Sequence, residues 1–279
     1  IEVHPFFRVT FPHFATRVNW RNHRKLAVID GRIGYVGGMN IADRYIDGTG
    51  SGIWRDTHLR VEGPAVGAIQ YAVAVDWSFM GQPLILDTPS TRQEHHPGAG
   101  IQLITSGPTS HWSNIAMLFH KAIANARRRV YIQTPYFLPT DSLLRALQAA
   151  ALAKVDVRIM IPARSDSTIL TYASFSYVQE CLRSGVKVYL YNAGMLHAKT
   201  VIVDDEFISV GSANFDFRSF EHNFESNVMI YSREINAEMT HIFFEDIAMS
   251  ERVHPGTWQK RPRAQKAKES MVRLLSPIL

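Results

Sequence analysis

Cysteine occurs once in this chain of 279 residues, at Cys181. An internal disulfide is therefore excluded, which fits a reducing compartment without proving one. The surrounding SYVQECLRSG reads as a helix, and Cys181 as a structural thiol within it. No uninterrupted apolar run reaches the ~18 residues that a membrane-spanning helix needs, so none is expected here. The sequence has no HExxH pattern and no cysteine cluster, and so offers no zinc site. No secretory leader is visible, and residue 1 is Ile rather than Met. The chain is expected to start inside a longer protein.

What is present is ordinary for a folded protein. Hydrophobic residues make up 46% and charged residues 20%, enough for one large core or two fused ones. The net charge of +5 is unevenly placed. From Glu251 onward Arg252, Lys260, Arg261, Arg263, Lys266, Lys268 and Arg273 face only Glu251 and Glu269. Such a tail meets an anionic membrane, a nucleic acid, or water alone, and charge does not separate these. Trp258 and the closing MVRLLSPIL add an apolar component that leans toward a membrane surface.

One phrase occurs twice. NHRKLAVIDGRIGYVGGMN carries His23, Lys25, Asp30, Gly37 and Asn40. LHAKTVIVDDEFISVGSAN carries His197, Lys199, Asp204, Gly211 and Asn214, each 174 positions later. A single His–x–Lys occurs by chance constantly, but two copies matched at five positions do not. Residues i and i+2 of an extended strand share a face, so each histidine and its lysine reach one pocket. Small residues near Asn40 and Asn214 allow phosphate oxygens to come close, with Gly38 in one copy and Ser212 in the other. Ser212 is a further candidate phosphate donor. The two sets together suit a phosphate ester, with one histidine attacking phosphorus and the other protonating the leaving group.

A reacting imidazole needs its second nitrogen held by an acceptor. Asp56 follows His23, and Glu225 follows His197, each by roughly 30 residues. These are the expected orienting carboxylates. Asp30 and Asp204 stand at hairpin tips and are expected to accept local backbone hydrogen bonds as structural members of the motif, like Gly37, Gly38 and Gly211.

Strand and helix patterns alternate through the second half. IQLITSG, VYIQTPYF, VDVRIMIPA and VKVYLYN read as strands. Helices are expected over 114–129, from Thr140 or Asp141 to about Lys154, and from Ser174 to Arg183 with Gly185 as stop. The fold class is α/β, a pseudo-two-fold repeat of mixed sheets flanked by helices. Carried back by the repeat offset, Ile101 corresponds to position −73, so the first half is expected to be incomplete by roughly 70 residues. The expected division is 1–88 for the end of the first half, 89–100 as a crossover loop, 101–250 for the second half, and 251–279 as a basic amphipathic tail. The adjacent His95 and His96 in the crossover could ligate a metal, but an exposed polar pair without cysteine or carboxylate geometry reads as loop.

These residues resemble the phospholipase D superfamily, with its paired His–x–Lys–x4–Asp motifs. RNHRKLAVIDGRIGYVGGMNIADRY, WRDTHLRVEGPAV, TPYFLP and the long stretch from GVKVYLYN to FEHNFESN resemble its bacterial cardiolipin synthase branch. The resemblance runs from about Arg17 to the end. It implies two in-line displacements at phosphorus, with His23 as nucleophile and His197 as general acid. Phosphatidylglycerol and an anionic membrane surface are the implied partners, at the cytoplasmic face of a bacterial cell membrane. Lys25, Lys199, Asn40 and Asn214 would meet phosphate charge, so no metal and no cofactor is expected. A hydrolytic phospholipase D would use the same site. A nuclease would show a basic groove with aromatic platforms. Trp20, Trp54, Phe137, Leu138, Phe215, Phe217 and Phe220 lie near motif residues and suit either lipid chains or the core, and no nucleic-acid partner is expected. A non-catalytic phospholipid-binding module is the remaining reading, and the intact motifs argue against it.

Overall fold

The computed structural model describes residues 1–6, 20–50, 52–84 and 98–276. Most of the crossover, with His95 and His96, lies outside them.

The first half opens with the short strand Arg21–Asn22 (β1). A hairpin follows, Leu26–Ile29 (β2) and Ile33–Gly37 (β3). Next come a helical turn Arg44–Asp47 (α1) and the strands Ile53–Arg55 (β4) and His58–Glu62 (β5). Helix Ala65–Phe79 (α2) closes this half.

The second half starts with strand Gly100–Ser106 (β6), helix Asn114–Ala124 (α3) and strands Arg129–Gln133 (β7) and Phe137–Leu138 (β8). Helix Asp141–Leu152 (α4), strand Asp156–Pro162 (β9), helix Thr168–Ser184 (α5) and strand Lys187–Tyr191 (β10) follow. Gly194–Leu196 (β11), Thr200–Val203 (β12), Phe207–Gly211 (β13) and Phe215–Asp216 (β14) carry the second motif. The half ends with the short helix Phe217–Glu221 (α6), strand Asn223–Tyr231 (β15) and helix Arg233–Ala248 (α7). Strand Ser250–Arg252 (β16) and helices Pro255–Gln259 (α8) and Arg263–Arg273 (α9) complete the chain.

The repeat is visible in three dimensions. Hairpin β2–β3 recurs as β12–β13 at the same 174-residue offset, from Leu26 and Thr200 through Gly37 and Gly211. In each half a third antiparallel strand, β5 or β15, continues from the hairpin and leads into a long helix, α2 or α7. The second half, joined at the edge by β1 of the first, builds a mixed sheet in the order β1-β15-β13-β12-β7-β9-β10-β16, with β6 also on β15. The first half contributes the small sheet β2-β3-β5.

Two cores follow from this layering. On one face of the large sheet Phe119, Leu143, Leu147 and Cys181 from α3, α4 and α5 pack on Val130, Ile132 and Ile159. On the other face Phe243 of α7 joins Val36, Val61 and Ile69 of the first half against Ile202, Ile208 and Val228. The first half is thus packed directly on the second. Phe137, Leu138, Phe215 and Phe220, weighed above as lipid contacts, are core residues at no more than 2% exposure. Strand ends at β8 and β14 pair with each other, so these apolar side chains point between sheet and helices rather than into an opening.

Helix limits differ from expectation at two places. Helix α3 stops at Ala124 because Arg129 must enter β7, where it pairs with Asp156. Helix α5 starts six residues before Ser174, where the Ser167 hydroxyl caps the Leu170 amide. Its first turns, Thr168–Ala173, include β-branched residues that weaken the helical signal. The Thr140 cap of α4 and the left-handed Gly185 stop of α5 (φ 92°) are as expected.

The basic segment after Glu251 is folded onto the domain. Strand β16 extends the central sheet beside β10. Trp258 is buried in the α5 core, edge-on to Phe175, with the Arg261 guanidinium 3.8 Å above its ring. Arg261 also pairs with the buried Glu269 at 2.6 Å. Arg273 bonds Glu180 and covers Tyr177. The outer face of α9 keeps Arg263, Lys268 and Met271 exposed. Trp258→Ala should therefore cost about 3–5 kcal/mol of stability, the range for a buried tryptophan, read from urea unfolding. A loss below about 1 kcal/mol would mean that the segment is only loosely attached.

Candidate active site

Two short parallel strand pairings place the reactive residues. Asn22 of β1 stands beside Phe224 of β15, and the next residues along each chain are His23 and Glu225. Leu196 of β11 stands beside Arg55 of β4, followed by His197 and Asp56. The ladder continues one step past each strand. The His23 amide donates to the Phe224 carbonyl at 2.9 Å, and the His197 amide to the Arg55 carbonyl at 2.7 Å. Side chains at equal register in a parallel ladder lie next to each other.

The consequence corrects the pairing inferred from the sequence. His23 Nδ1 is bonded to Glu225, at 2.9 and 3.1 Å to its two oxygens. His197 Nδ1 is bonded to Asp56 at 2.6 Å. Each histidine is oriented by the carboxylate of the other half, not by the one that follows it in sequence. The residues were legible, but the exchange was not, because proximity in the chain says nothing about which strands become neighbours. With Nδ1 held, Nε2 of each ring is the nitrogen left to react.

The carboxylates are themselves fixed. Glu225 is fully buried and accepts from Asn223 Nδ2 at 3.0 Å and from the Ser212 hydroxyl at 2.5 Å. Ser212 also accepts from the Ser226 amide. Its hydroxyl is thus taken up by Glu225 rather than open to a phosphate, which corrects its expected role. In the other half the matching position must be glycine. A Cβ at Gly38 would stand 2.1 Å from Asp56 Oδ1. The other Asp56 contact is the Thr57 amide at 2.8 Å.

Lys199 is buried, and its ammonium donates to the His197 carbonyl at 2.5 Å and lies 3.1 Å from His197 Nδ1. Lys25 repeats the contact to the His23 carbonyl at 2.5 Å. Burial pulls Lys199 down to about 7 and Lys25 down to about 8, although Glu225 and Asp56 act on both in the opposite direction. That mutual influence shows that all four groups share one field. Burial and the neighbouring Lys199 lower His197 to about 4 against the pull of Asp56. Burial alone would raise Glu225, but His23, Lys25 and the Ser212 hydroxyl outweigh it and hold the carboxyl at about 2.

The halves are not equivalent. The His23 side chain is 28% exposed and that of His197 only 9%. Trp54 and Tyr45 pack on the His197 ring, with centroids at 5.4 and 5.8 Å. Asn214 is buried and donates to Asp216 at 3.0 Å, whereas Asn40 is exposed and donates to the Tyr45 hydroxyl at 2.8 Å. Tyr45 is a site neighbour that the repeat could not reveal, since Ser219 occupies the matching position. Beyond Asn40 the rim carries exposed apolar side chains, Ile41, Ile46 and Ile53, also missed in sequence.

The structural aspartates do stand at hairpin tips, with φ of 53° for Asp30 and 50° for Asp204. Aspartate tolerates this left-handed geometry better than most residues. The bonds of Asp204 are not local, however. Its carboxylate accepts from the amides of Arg127, Arg128 and Arg129, before β7, at 2.8–3.0 Å. Among the described residues no cluster of three acidic, histidine or cysteine side chains is placed to hold a metal ion. None of their helices is long and apolar enough to cross a membrane.

A two-fold arrangement of His–x–Lys motifs on this mixed α/β repeat resembles that of the phospholipase D superfamily. The chain is closely related to bacterial cardiolipin synthases. The family model described as cardiolipin synthase, PLD-like domain, matches residues 119–247. A cardiolipin synthase of Listeria monocytogenes is 44% identical over 99% of this chain and 58% of its own length. Cardiolipin synthase 2 of Bacillus anthracis is 42% identical over 100% of this chain and 55% of its own. The chain therefore spans a little over half the length of these relatives. The fold is similar to that of phosphatidylserine synthase from Haemophilus influenzae, with a TM-score of 0.70 at 15% identity, covering 94% of this chain and 72% of that one.

The charge states predict a pH profile for stability. Between pH 6.5 and 4 unfolded His197 binds a proton that the folded ring refuses, so stability falls as pH falls through that window. Glu225 continues the loss from pH 4.5 toward 2, because its folded carboxyl stays ionised there. Urea midpoints measured from pH 7 to 4 should fall, and His197→Gln should flatten the limb between 6.5 and 4. An unchanged slope in the variant would show that His197 is not held neutral.

Proposed function

We propose that the protein transfers a phosphatidyl group between two phosphatidylglycerol molecules, as a cardiolipin synthase. The observation that carries the reading is the pair of imidazoles locked through Nδ1 by carboxylates, with Lys25 and Lys199 in the field of the same two carboxylates. A phosphodiester carries one negative charge, and more builds on its oxygens during attack. Lys25, Lys199 and the free amide proton of Asn214 stand ready for that charge in a site of low dielectric. Asn40 would join them once released from Tyr45.

In the first step His23 Nε2 attacks phosphorus. The bond from phosphorus to the glycerol oxygen breaks, and His197, which must enter this step as the imidazolium protonated on both nitrogens, gives that oxygen its Nε2 proton. The products are phosphatidyl-histidine and glycerol. In the second step His197 takes the proton of a hydroxyl on another phosphatidylglycerol. That oxygen attacks phosphorus, the P–N bond breaks, and cardiolipin leaves. One observation favours the opposite order of histidines. His197 is held neutral, and a neutral imidazole is the form that attacks. A trapped phosphatidyl adduct mapped to His23 supports the first order, and an adduct on His197 supports the second.

The substrate is a lipid, so the site must meet a bilayer. The apolar rim of Ile41, Ile46 and Ile53 beside the exposed Arg44 fits an anionic surface, and so does the outer face of α9 with Arg263, Lys268 and Met271. We place the protein at the cytoplasmic face of a bacterial cell membrane on this basis.

Incubation with phosphatidylglycerol alone and mass detection of products tests the activity. Cardiolipin with glycerol is expected, whereas phosphatidic acid alone would indicate hydrolysis. His23→Ala or His197→Ala should each lower turnover at least about a hundredfold, the scale of a lost general acid or base. Ile41→Ser with Ile46→Ser should weaken sedimentation with phosphatidylglycerol vesicles while sparing cleavage of a water-soluble phosphodiester. Equal vesicle binding would remove the rim from the membrane contact.

A further inference from the structure

Each histidine–carboxylate pair is gripped from behind by an arginine whose own anchor is an aspartate on a long helix. Arg24 donates through Nε to the carbonyl oxygen of Glu225 at 3.1 Å. Its guanidinium is bonded to Asp76 of α2, which also accepts from Asn22 Nδ2 at 3.1 Å. Arg55 donates to the carbonyl oxygen of Asp56 and to the Thr57 hydroxyl. Its Nε and Nη2 reach the two oxygens of Asp246 on α7, at 3.1 and 3.0 Å. Asp246 is buried and also accepts from Gln133 Nε2 at 2.7 Å. Gln133 in turn accepts from the hydroxyl of Thr200, the residue after Lys199.

The two arrangements are the same device made from different positions. Arg24 follows its histidine, and Arg55 precedes its carboxylate, so the sequence repeat does not announce them. In both, a guanidinium holds the backbone of the carboxylate residue, and a helix that follows a strand of the small or large sheet holds the guanidinium. Both link the halves: Arg24 and Asp76 of the first half hold Glu225 of the second, while Asp246 of the second holds Arg55 beside Asp56 of the first. A guanidinium suits this task because its planar fork makes several fixed hydrogen bonds at once, which an ammonium cannot copy. The side chains of Arg24 and Asp76 are 9% and 14% exposed, and that of Asp246 is 3% exposed. Such pairs contribute more to geometry than to stability.

We propose that Arg24–Asp76 and Arg55–Asp246 are positioning clamps, each setting one carboxylate against its histidine: the first serves Glu225 and His23, the second Asp56 and His197. The clamps make no contact with the reacting atoms. As devices for catalysis they rest on the phosphoryl-transfer reading above; as determinants of histidine orientation they do not.

The test reads the two rings separately. The full chain, labelled with 15N-histidine, gives ring-nitrogen correlations that report the tautomer of each imidazole, assigned with His23→Gln and His197→Gln. Asp56, Lys199 and Lys25 act on the His197 ring, and Glu225 is bonded to the His23 ring while Lys25 donates to the His23 carbonyl. In the wild type both rings should carry the proton on Nδ1. Arg55→Lys and Asp246→Asn should move the His197 signals to a mixed tautomer and leave those of His23 unchanged. Arg24→Lys and Asp76→Asn should do the reverse. Thermal unfolding confirms that each variant is folded, and the asparagine variants keep the test alive if a lysine variant is not. Signals unmoved in folded variants, or both rings moving together, overturn the proposal. Turnover of a soluble phosphodiester adds the catalytic arm. Each clamp variant should lower kcat about ten- to a hundredfold, the scale of a misplaced reacting group, with KM changed less than about twofold. Selective ring shifts in a chain whose wild type cleaves no phosphodiester would support the clamps and overturn the functional reading instead.

Discussion

The site depends on two backbone pairings of two and three residues, β1 with β15 and β4 with β11. Neither would be stable as an isolated ribbon, since so short a ladder cannot offset the entropy of ordering its strands. Both persist because the halves are already packed together through the core that joins Val36, Val61 and Ile69 to Val210 and Val228. The dependence runs in one direction. Burial joins the halves, and the joined halves bring four strand ends into register. The register then puts each imidazole beside a carboxylate from across the interface. Sliding either ladder by one residue would turn the histidine to the opposite face.

Placing two carboxylates and two lysines in one buried site is costly, and the structure limits that cost by matching charge with charge. Glu225 is stripped of water yet ionised, because one cationic lysine, one histidine and two neutral donors surround it. Lys199 bears the opposite strain. Its depressed value near 7 records an ammonium short of solvent. A singly charged phosphate ester between the lysines would relieve that strain, so free energy lost in folding is recovered on binding. Functional sites often hold such groups, and the same groups in a purely structural ion pair would gain little. The depressed lysine values support reading the lysines as phosphate ligands rather than as bridges that hold the halves.

The repeat made His23, Lys25, His197 and Lys199 legible, because a pattern matched twice at fixed spacing carries information that single residues lack. Asp56 and Glu225 were legible as acceptors but not as exchanged partners, because exchange is a property of strand neighbours distant in sequence. Ser212 illustrates another limit. A small hydroxyl in a phosphate motif reads as a ligand, yet its direction is fixed by Glu225 on the adjacent strand, which no local pattern encodes. Trp258 read as membrane-seeking because an apolar residue in a basic stretch has the same sequence signature whether lipid or a helix covers it. Helix α5 supplies the cover, with Phe175 against its ring. Tyr45 and Arg24 escaped notice for a common reason: neither has a matching residue in the other copy, and the repeat was the signal being read.

Those unmatched residues are where the two-fold symmetry is broken. The chain differentiates the two histidines by small means. Gly38 opposite Ser212 gives Asp56 one fewer hydrogen-bond donor than Glu225 receives. Trp54 and Tyr45 close over His197 and leave His23 open to solvent. Burial then sets His197 apart, lowering its basicity against the pull of Asp56. The duplicated phrase supplies two histidines, two lysines and two asparagines, and the residues that are not duplicated give the two sets different surroundings.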